Sequence, residues 1–197
     1  MIRNVILDVG GVLLTFEPQI TLDAFCTSET QKQIVRTALF DSPYWHDADA
    51  GHIKDAELFD FAKQNVASEH HEALRQCCTH WDICMEPIAG AREFCRELKA
   101  AGVGLYLLSN TSDRFYSYFN KFMPLDFFDG AVISSDVLLM KPDHGIFAYV
   151  VDKYQLEKTE CLFVDDSLRN VEGARSFGLH AHPFFGDFEV IKNQYFR

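Results

Sequence analysis

Four places along this chain hold residues that could do chemistry together. Asp8 is a carboxylate at the end of the apolar run Asn4 to Val9, just before Gly10-Gly11. Asp165 and Asp166 follow a second such run, Cys161 to Val164. A charge within an apolar strand is costly unless something compensates it, so Asp8 either caps the glycine turn or faces a partner of opposite charge. Three carboxylates brought together would repel. A hard divalent cation resolves that repulsion, because Mg2+ prefers oxygen ligands and binds through one or two carboxylates, waters and a substrate phosphate. Helix capping ahead of Ser167 to Phe177 is the other use of Asp165-Asp166, but it needs only one acid.

The other two places supply complementary groups. Ser109-Asn110-Thr111 ends the run Val103 to Leu108 and is expected to open a helix, which would collect hydroxyl, amide and backbone N–H donors into an anion site. Lys141-Pro142-Asp143 places a cation at the expected mouth of another helix, where a buried ammonium could balance both Asp8 and a bound phosphate. Taken singly, Ser-Asn-Thr reads as ordinary N-cap chemistry and Lys141 as a surface cation. Their placement gives the set its meaning: Ser109 falls at a strand end, as do Asp8 and Asp165-Asp166, and Lys141 at the start of a helix.

The elements that must position these residues follow from periodicity. Short apolar runs at Asn4–Val9, 103–108, 131–134, 161–164 and 180–183 read as strands, and helical spacing separates them, as in Ile146, Phe147, Val150, Val151 and Tyr154. Strands alternating with helices predict an α/β fold with a doubly wound parallel sheet. In such sheets ligands sit beyond the carboxyl ends of the strands. Residues 17–86 are polar and helix-periodic, with Pro18 and Pro87 at their ends. They read as a small helical cap inserted after the first strand, which leaves 1–16 and 87–197 as the core.

Composition narrows the function. At 197 residues, 48% hydrophobic and 24% charged, the chain suits one core with a small insertion. A net charge of -11 argues against nucleic acid as a partner, because backbone binding draws on clustered Lys and Arg. No apolar run reaches membrane-spanning length. The six cysteines form no CxxC pair and no secretory signal precedes them, so they read as reduced, mostly buried thiols in a cytoplasmic protein. Monomer and homodimer are equally compatible with this balance.

In VILDVGGVLL (5–14), LYLLSNTS (105–112), MKPDHGIF (140–147) and CLFVDDSLRNVEGA (161–174), the sequence resembles the haloacid dehalogenase-like hydrolase superfamily, in its branch with a helical cap. The resemblance spans the chain and is carried by the order of all four segments. It implies strand order 5-4-1-2-3 and a phosphatase that passes a phosphoryl group through an aspartyl-phosphate. Asp8 would then be the nucleophile. The Gly10 carbonyl, Asp8 and Asp166 would hold Mg2+, with Asp165 supporting or joining them. Ser109, Asn110 and Lys141 would hold the phosphoryl group, Lys141 also orienting Asp8, and Asn170 would stand behind the metal site, where many relatives carry Asp.

One departure stands out. Most phosphatases of this kind carry Asp two residues after the nucleophile as general acid, and here that residue is Gly10. Among cap residues, His46, Asp47, Asp49 and His52 are candidates to replace it. Alternatively the substrate carries an acidic leaving group, as a hexose 1-phosphate does, and the Asp-x-Gly motif is similar to that of sugar-1-phosphate phosphatases. A metal-independent 2-haloacid dehalogenase also lacks the second acid, although Asp165-Asp166 would repel its anionic substrate. A catalytically weak binding protein of the same fold is a further alternative. Tyr44-Trp45-His46 and Gly51-His52 are the expected seat of specificity, most cap aromatics are expected to pack internally, and the tail Phe184 to Phe188 is expected to pack against the sheet.

Overall fold

The computed structural model describes residues 1–196. Five strands, β1 (Asn4–Leu7), β2 (Gly104–Ser109), β3 (Gly130–Ile133), β4 (Cys161–Asp165) and β5 (His180–Pro183), form one parallel sheet in the order β3-β2-β1-β4-β5. This is the expected order. The registers set Leu7 beside Leu107 and Val164, so the strands end together along one edge.

Both faces are buried, and the strands sort their side chains by period two. Val5 and Leu7, Leu105 and Leu107, and Leu162 and Val164 point to one core, which α6 (Ala91–Ala100), α7 (Phe115–Phe122) and α11 (Phe188–Tyr195) cover. Ile6, Leu108, Cys161 and Phe163 point to the other, under α9 (His144–Lys153) and α10 (Leu168–Phe177). Gly178, at φ 104°, terminates α10, as its sequence position predicts. Of the tail, Phe184 and Phe188 pack into the first core beside Phe94, whereas Phe185 is exposed. The short helix α8 (Ser134–Val137) follows β3.

Between β1 and β2 run α1 (Pro18–Phe25), α2 (Glu29–Ala38), α3 (Pro43–Asp49), α4 (Leu58–Ala62) and α5 (His71–His80). They gather around a core of their own that includes Leu22, Val35, Leu39, Leu58, Leu74 and Cys77. The chain enters and leaves this layer side by side: Thr15 N–H donates to Glu86 O at 2.7 Å and Ile88 N–H to Leu13 O at 3.0 Å. All six cysteines are free and buried, as expected. Among the described residues no helix is long and apolar enough to cross a membrane.

A buried ionic clasp docks the helical layer on the sheet. Asp55 accepts hydrogen bonds from Trp81 Nε1 at 2.7 Å, Ser112 Oγ at 3.1 Å and Arg114 Nε at 2.6 Å. Arg114 also donates to the Thr79 carbonyl at 2.6 Å and meets Asp82 at 3.4 Å. Removing the carboxylate takes one partner from the guanidinium and leaves the indole N–H and a hydroxyl without theirs. Asp55→Ala is expected to lower unfolding stability by about 2–3 kcal/mol, read as a lower urea midpoint with an unchanged slope.

Candidate active site

β1, β2 and β4 deliver their last residues to one point, and the order of the sheet makes this inevitable: β1 is central, with β2 and β4 on either side. Asp8, Ser109 and Asp165 are all buried there. Lys141 reaches in from the segment before α9. Its ammonium lies 2.9 Å from Asp8 Oδ1 and 2.7 Å from Asp165 Oδ2, and donates to the Leu108 carbonyl at 2.9 Å. One ammonium thus faces two buried carboxylates, with Asp166 on the solvent side, and oxygen atoms of Asp8, Asp165 and Asp166 lie within 4.8 Å of one another.

That arrangement leaves surplus negative charge. Burial, followed by Asp165, pushes the Asp8 carboxyl up to about 8 even though Lys141 pulls the other way. Burial and then Asp165 also raise Asp166. For Lys141 burial opposes the charge, but Asp8 and Asp165 outweigh it and hold the ammonium above its ordinary value. A proton or a divalent cation must make up the deficit. The donors are hard oxygens only, the set that suits Mg2+ rather than a thiophilic metal.

Asp165 has its oxygens occupied: Ser167 N–H donates to Oδ1 at 2.8 Å, Asn170 Nδ2 approaches both oxygens at 3.1 Å, and Lys141 takes Oδ2. Asp8 Oδ1 accepts the Val9 N–H at 2.6 Å. Gly11 has φ +74° and lies against Asp166, so close that a Cβ there would stand 2.2 Å from Asp166 Oδ2. Gly11→Ala must displace that carboxylate and strain the left-handed turn. Its expected signature is weaker binding of Mg2+, read by calorimetric titration, with the fold retained.

Two local expectations are corrected. Asn110 does not open a helix: residues 110–114 are irregular and α7 begins only at Phe115, so no helix N-terminus lies behind Ser109-Asn110-Thr111. The local hydrogen bonds explain the delay. The Thr111 N–H donates to Ser134 Oγ at 2.9 Å, Thr111 Oγ1 pairs with Tyr118 Oη at 3.1 Å, and Asn110 exchanges hydrogen bonds with the Lys141 backbone, donating to O and accepting from N, each at 2.9 Å. Asn110 therefore latches the lysine segment to the β2 end. Lys141 and Pro142 likewise precede α9, which starts at His144 with Asp143 as its flanking residue.

Asp8, Gly10, Ser109, Asn110 and Asp166 all line one cavity of about 520 Å³. Its other wall is Phe16, Trp45, Trp81, Met85, Ile88 and Tyr118. Of the expected specificity residues only Trp45 reaches it. Tyr44 packs tilted against Phe61 within the helical layer, and Asp47 and His52 pair with each other at 3.6 Å. Of the candidate replacement acids, Asp49 alone lines the cavity among the described residues. Phe16, Met85, Ile88 and Tyr118 were not singled out by the sequence.

The family model for haloacid dehalogenase-like hydrolases matches residues 2–178, nearly the whole chain. The protein belongs to the haloacid dehalogenase-like hydrolase family. This hydrolase is 28% identical over 181 residues to the sesquiterpene phosphatase astK of Aspergillus oryzae, covering 90% of this chain and 87% of that protein. Two solved structures share its fold at lower identity. A variant of a haloacid dehalogenase family enzyme from Bacteroides thetaiotaomicron, in complex with magnesium and inorganic phosphate, superimposes with a TM-score of 0.77 at 21% identity, each chain covered completely. The L-2-haloacid dehalogenase of Xanthobacter autotrophicus gives 0.66 at 20% identity over 98% of the hydrolase and 82% of that enzyme.

Proposed function

We propose that this hydrolase is a Mg2+-dependent phosphomonoesterase that works through an aspartyl-phosphate on Asp8 and acts on the phosphate ester of a largely apolar alcohol. The observation that carries the reading is the union, in one cavity, of the Asp8 and Asp166 carboxylates with an aromatic and thioether wall. Asp8, the Gly10 carbonyl and Asp166 would hold the metal. Asp165, with its oxygens engaged by Lys141, Ser167 and Asn170, serves it by orienting Lys141. When bound, Mg2+ supplies positive charge to the phosphoryl oxygens.

The chain's own groups do the rest. Asp8 attacks phosphorus, splitting one displacement into two easier ones. Lys141 keeps the carboxylate oriented through its 2.9 Å contact and offsets charge that builds on the phosphoryl group. Ser109 presents its hydroxyl to the same group. The helices of residues 17–86 act as a cap whose Trp45 and Trp81 shield the reacting atoms from water.

The cavity wall guides the choice of substrate. At about 520 Å³ the volume falls within the ~300–1,000 Å³ usual for small-molecule sites. A hexose 1-phosphate, the substrate class suggested by the Asp-x-Gly motif, carries hydroxyls around its ring. Phe16, Trp45, Trp81, Met85 and Ile88 offer them apolar surface, whereas the chain of an isoprenoid alcohol would bury against it. The sesquiterpene phosphatase relative supports the same choice.

The deciding experiment compares farnesyl monophosphate, glucose 1-phosphate and an aryl phosphate, each with Mg2+ and with chelator. Metal-dependent turnover that favours farnesyl monophosphate supports the proposal in full. Preference for glucose 1-phosphate would retain the chemistry and overturn the substrate class. Halide release from a 2-haloacid in chelator, with no phosphate release from any ester, would overturn the phosphatase reading.

A further inference from the structure

Gly10 stands where most phosphatases resembling this chain carry their general acid, and a Cβ built on it would meet nothing within 4 Å. The backbone there has room for a side chain and lacks one. An alkoxide leaving group is a strong base, so a proton has to reach it from some other element. Apart from Asp8 and Asp166, the carboxylates lining the cavity among the described residues are Glu17 and Asp49. Glu17 is exposed to solvent.

Asp49 closes α3 and is fixed by the sheet. Its backbone carbonyl accepts the Ser134 hydroxyl, just beyond β3, and its side chain lines the cavity with Asp8. This anchor holds the end of α3 at the sheet edge that carries Asp8. Burial first, then the negative charges of Asp55 and Asp8, keep its carboxyl well above the usual carboxylate range. Both causes favour the protonated form, the one that can act as an acid.

We infer that Asp49 is the general acid and base of this hydrolase, delivered from the cap in place of the residue missing at Gly10. The inference rests on the phosphatase reading above. In the first step the Asp8 oxygen bonds to phosphorus, the ester P–O bond breaks, and the Asp49 proton passes to the departing alkoxide to give the free alcohol. In the second, water bonds to phosphorus and gives its proton to the Asp49 carboxylate. The Asp8–phosphorus bond then breaks, releasing inorganic phosphate and restoring both side chains. Because the acid rides on the cap, protonation of the leaving group is available only with the cap docked.

The test uses leaving groups of different basicity on the full chain with Mg2+. p-Nitrophenyl phosphate releases a phenolate that departs without a proton, whereas a simple alkyl phosphate needs one. Asp49→Asn is expected to lose ~10²- to 10⁴-fold in kcat/KM on the alkyl ester and to keep most of its aryl kcat/KM, which reads only phosphoryl transfer to Asp8, together with its Mg2+-dependent trapping of fluoroberyllate on Asp8. Adding Gly10→Asp to Asp49→Asn is expected to restore alkyl turnover. Equal loss of kcat/KM on both esters, loss of fluoroberyllate trapping, or the same selective loss in Glu17→Gln with Asp49→Asn unaffected would each overturn the assignment. Wild type that hydrolyses neither ester would instead remove the phosphatase reading, and this inference with it.

Discussion

Asp8→Asn is expected to abolish turnover of every phosphate ester while leaving the protein folded and, without metal, more stable near neutral pH. The amide keeps the shape but cannot form the acyl phosphate, so the reaction loses its first step and not merely some of its stabilisation. The stability effect comes from the same carboxyl. Its pKa rises from 3.8 to about 8 on folding, so between those values the native state binds more protons than the unfolded chain. Metal-free stability must then fall as pH rises through that window. Asn removes that dependence, and Asp166, which is also raised, keeps a smaller part of it. Urea titrations at several pH values in chelator check this. A wild-type curve as flat as that of Asp8→Asn would show that the Asp8 proton is not held in this way.

Lys141→Met has the larger structural effect. The ammonium is nearly inaccessible and its three short contacts go to Asp8, Asp165 and the Leu108 carbonyl. Methionine fills much of the volume but leaves two carboxylates facing each other in a dry site. Breaking a buried pair in this way costs about 3–5 kcal/mol, because the charge left behind has no compensation. The loss is expected to be greatest at high pH and to shrink as acid protonates Asp8, since without Lys141 that carboxyl binds its proton more tightly in the folded state. Mg2+ is expected to recover part of it. The urea midpoint measured against pH, with and without Mg2+, reads all three effects, and a midpoint equal to wild type at pH 8 would contradict the electrostatic account.

Much of this was legible in the sequence, and the reason is local. Val5, Ile6 and Leu7 announce a strand by composition, and the alternation of such runs with helical periods fixes a parallel sheet whose carboxyl edge collects Asp8, Ser109 and Asp165. The ends of elements were harder to read. Asn110 looks like a helix start, yet its side chain is committed to the Lys141 backbone, 31 residues away, and α7 waits until Phe115. The wall opposite the acids was the least legible part. Phe16, Trp45, Trp81 and Tyr118 come from four separate stretches, and nothing in their local spacing says that they meet. Trp81 in particular reads as a core residue and is one, packing against Trp45 and Tyr118, while its edge also faces the cavity. Asp49 was recognisable as a candidate by type alone; only the tertiary fold separates it from His46, Asp47 and His52.

Asp55 links the apolar wall of the cavity to the segment beyond β2. One of its oxygens accepts from both the Trp81 indole, which belongs to the apolar wall, and the Ser112 hydroxyl, which stands beyond Ser109 and Asn110. In the proposed reaction, substrate carbon pressed against Trp81 would bear through Asp55 on the segment that would hold the phosphoryl end. Binding energy gained far from phosphorus is then available to the transition state. On the proposed reading, shortening the alcohol is expected to slow the chemical step itself, so that the hydrocarbon would act as part of the catalyst.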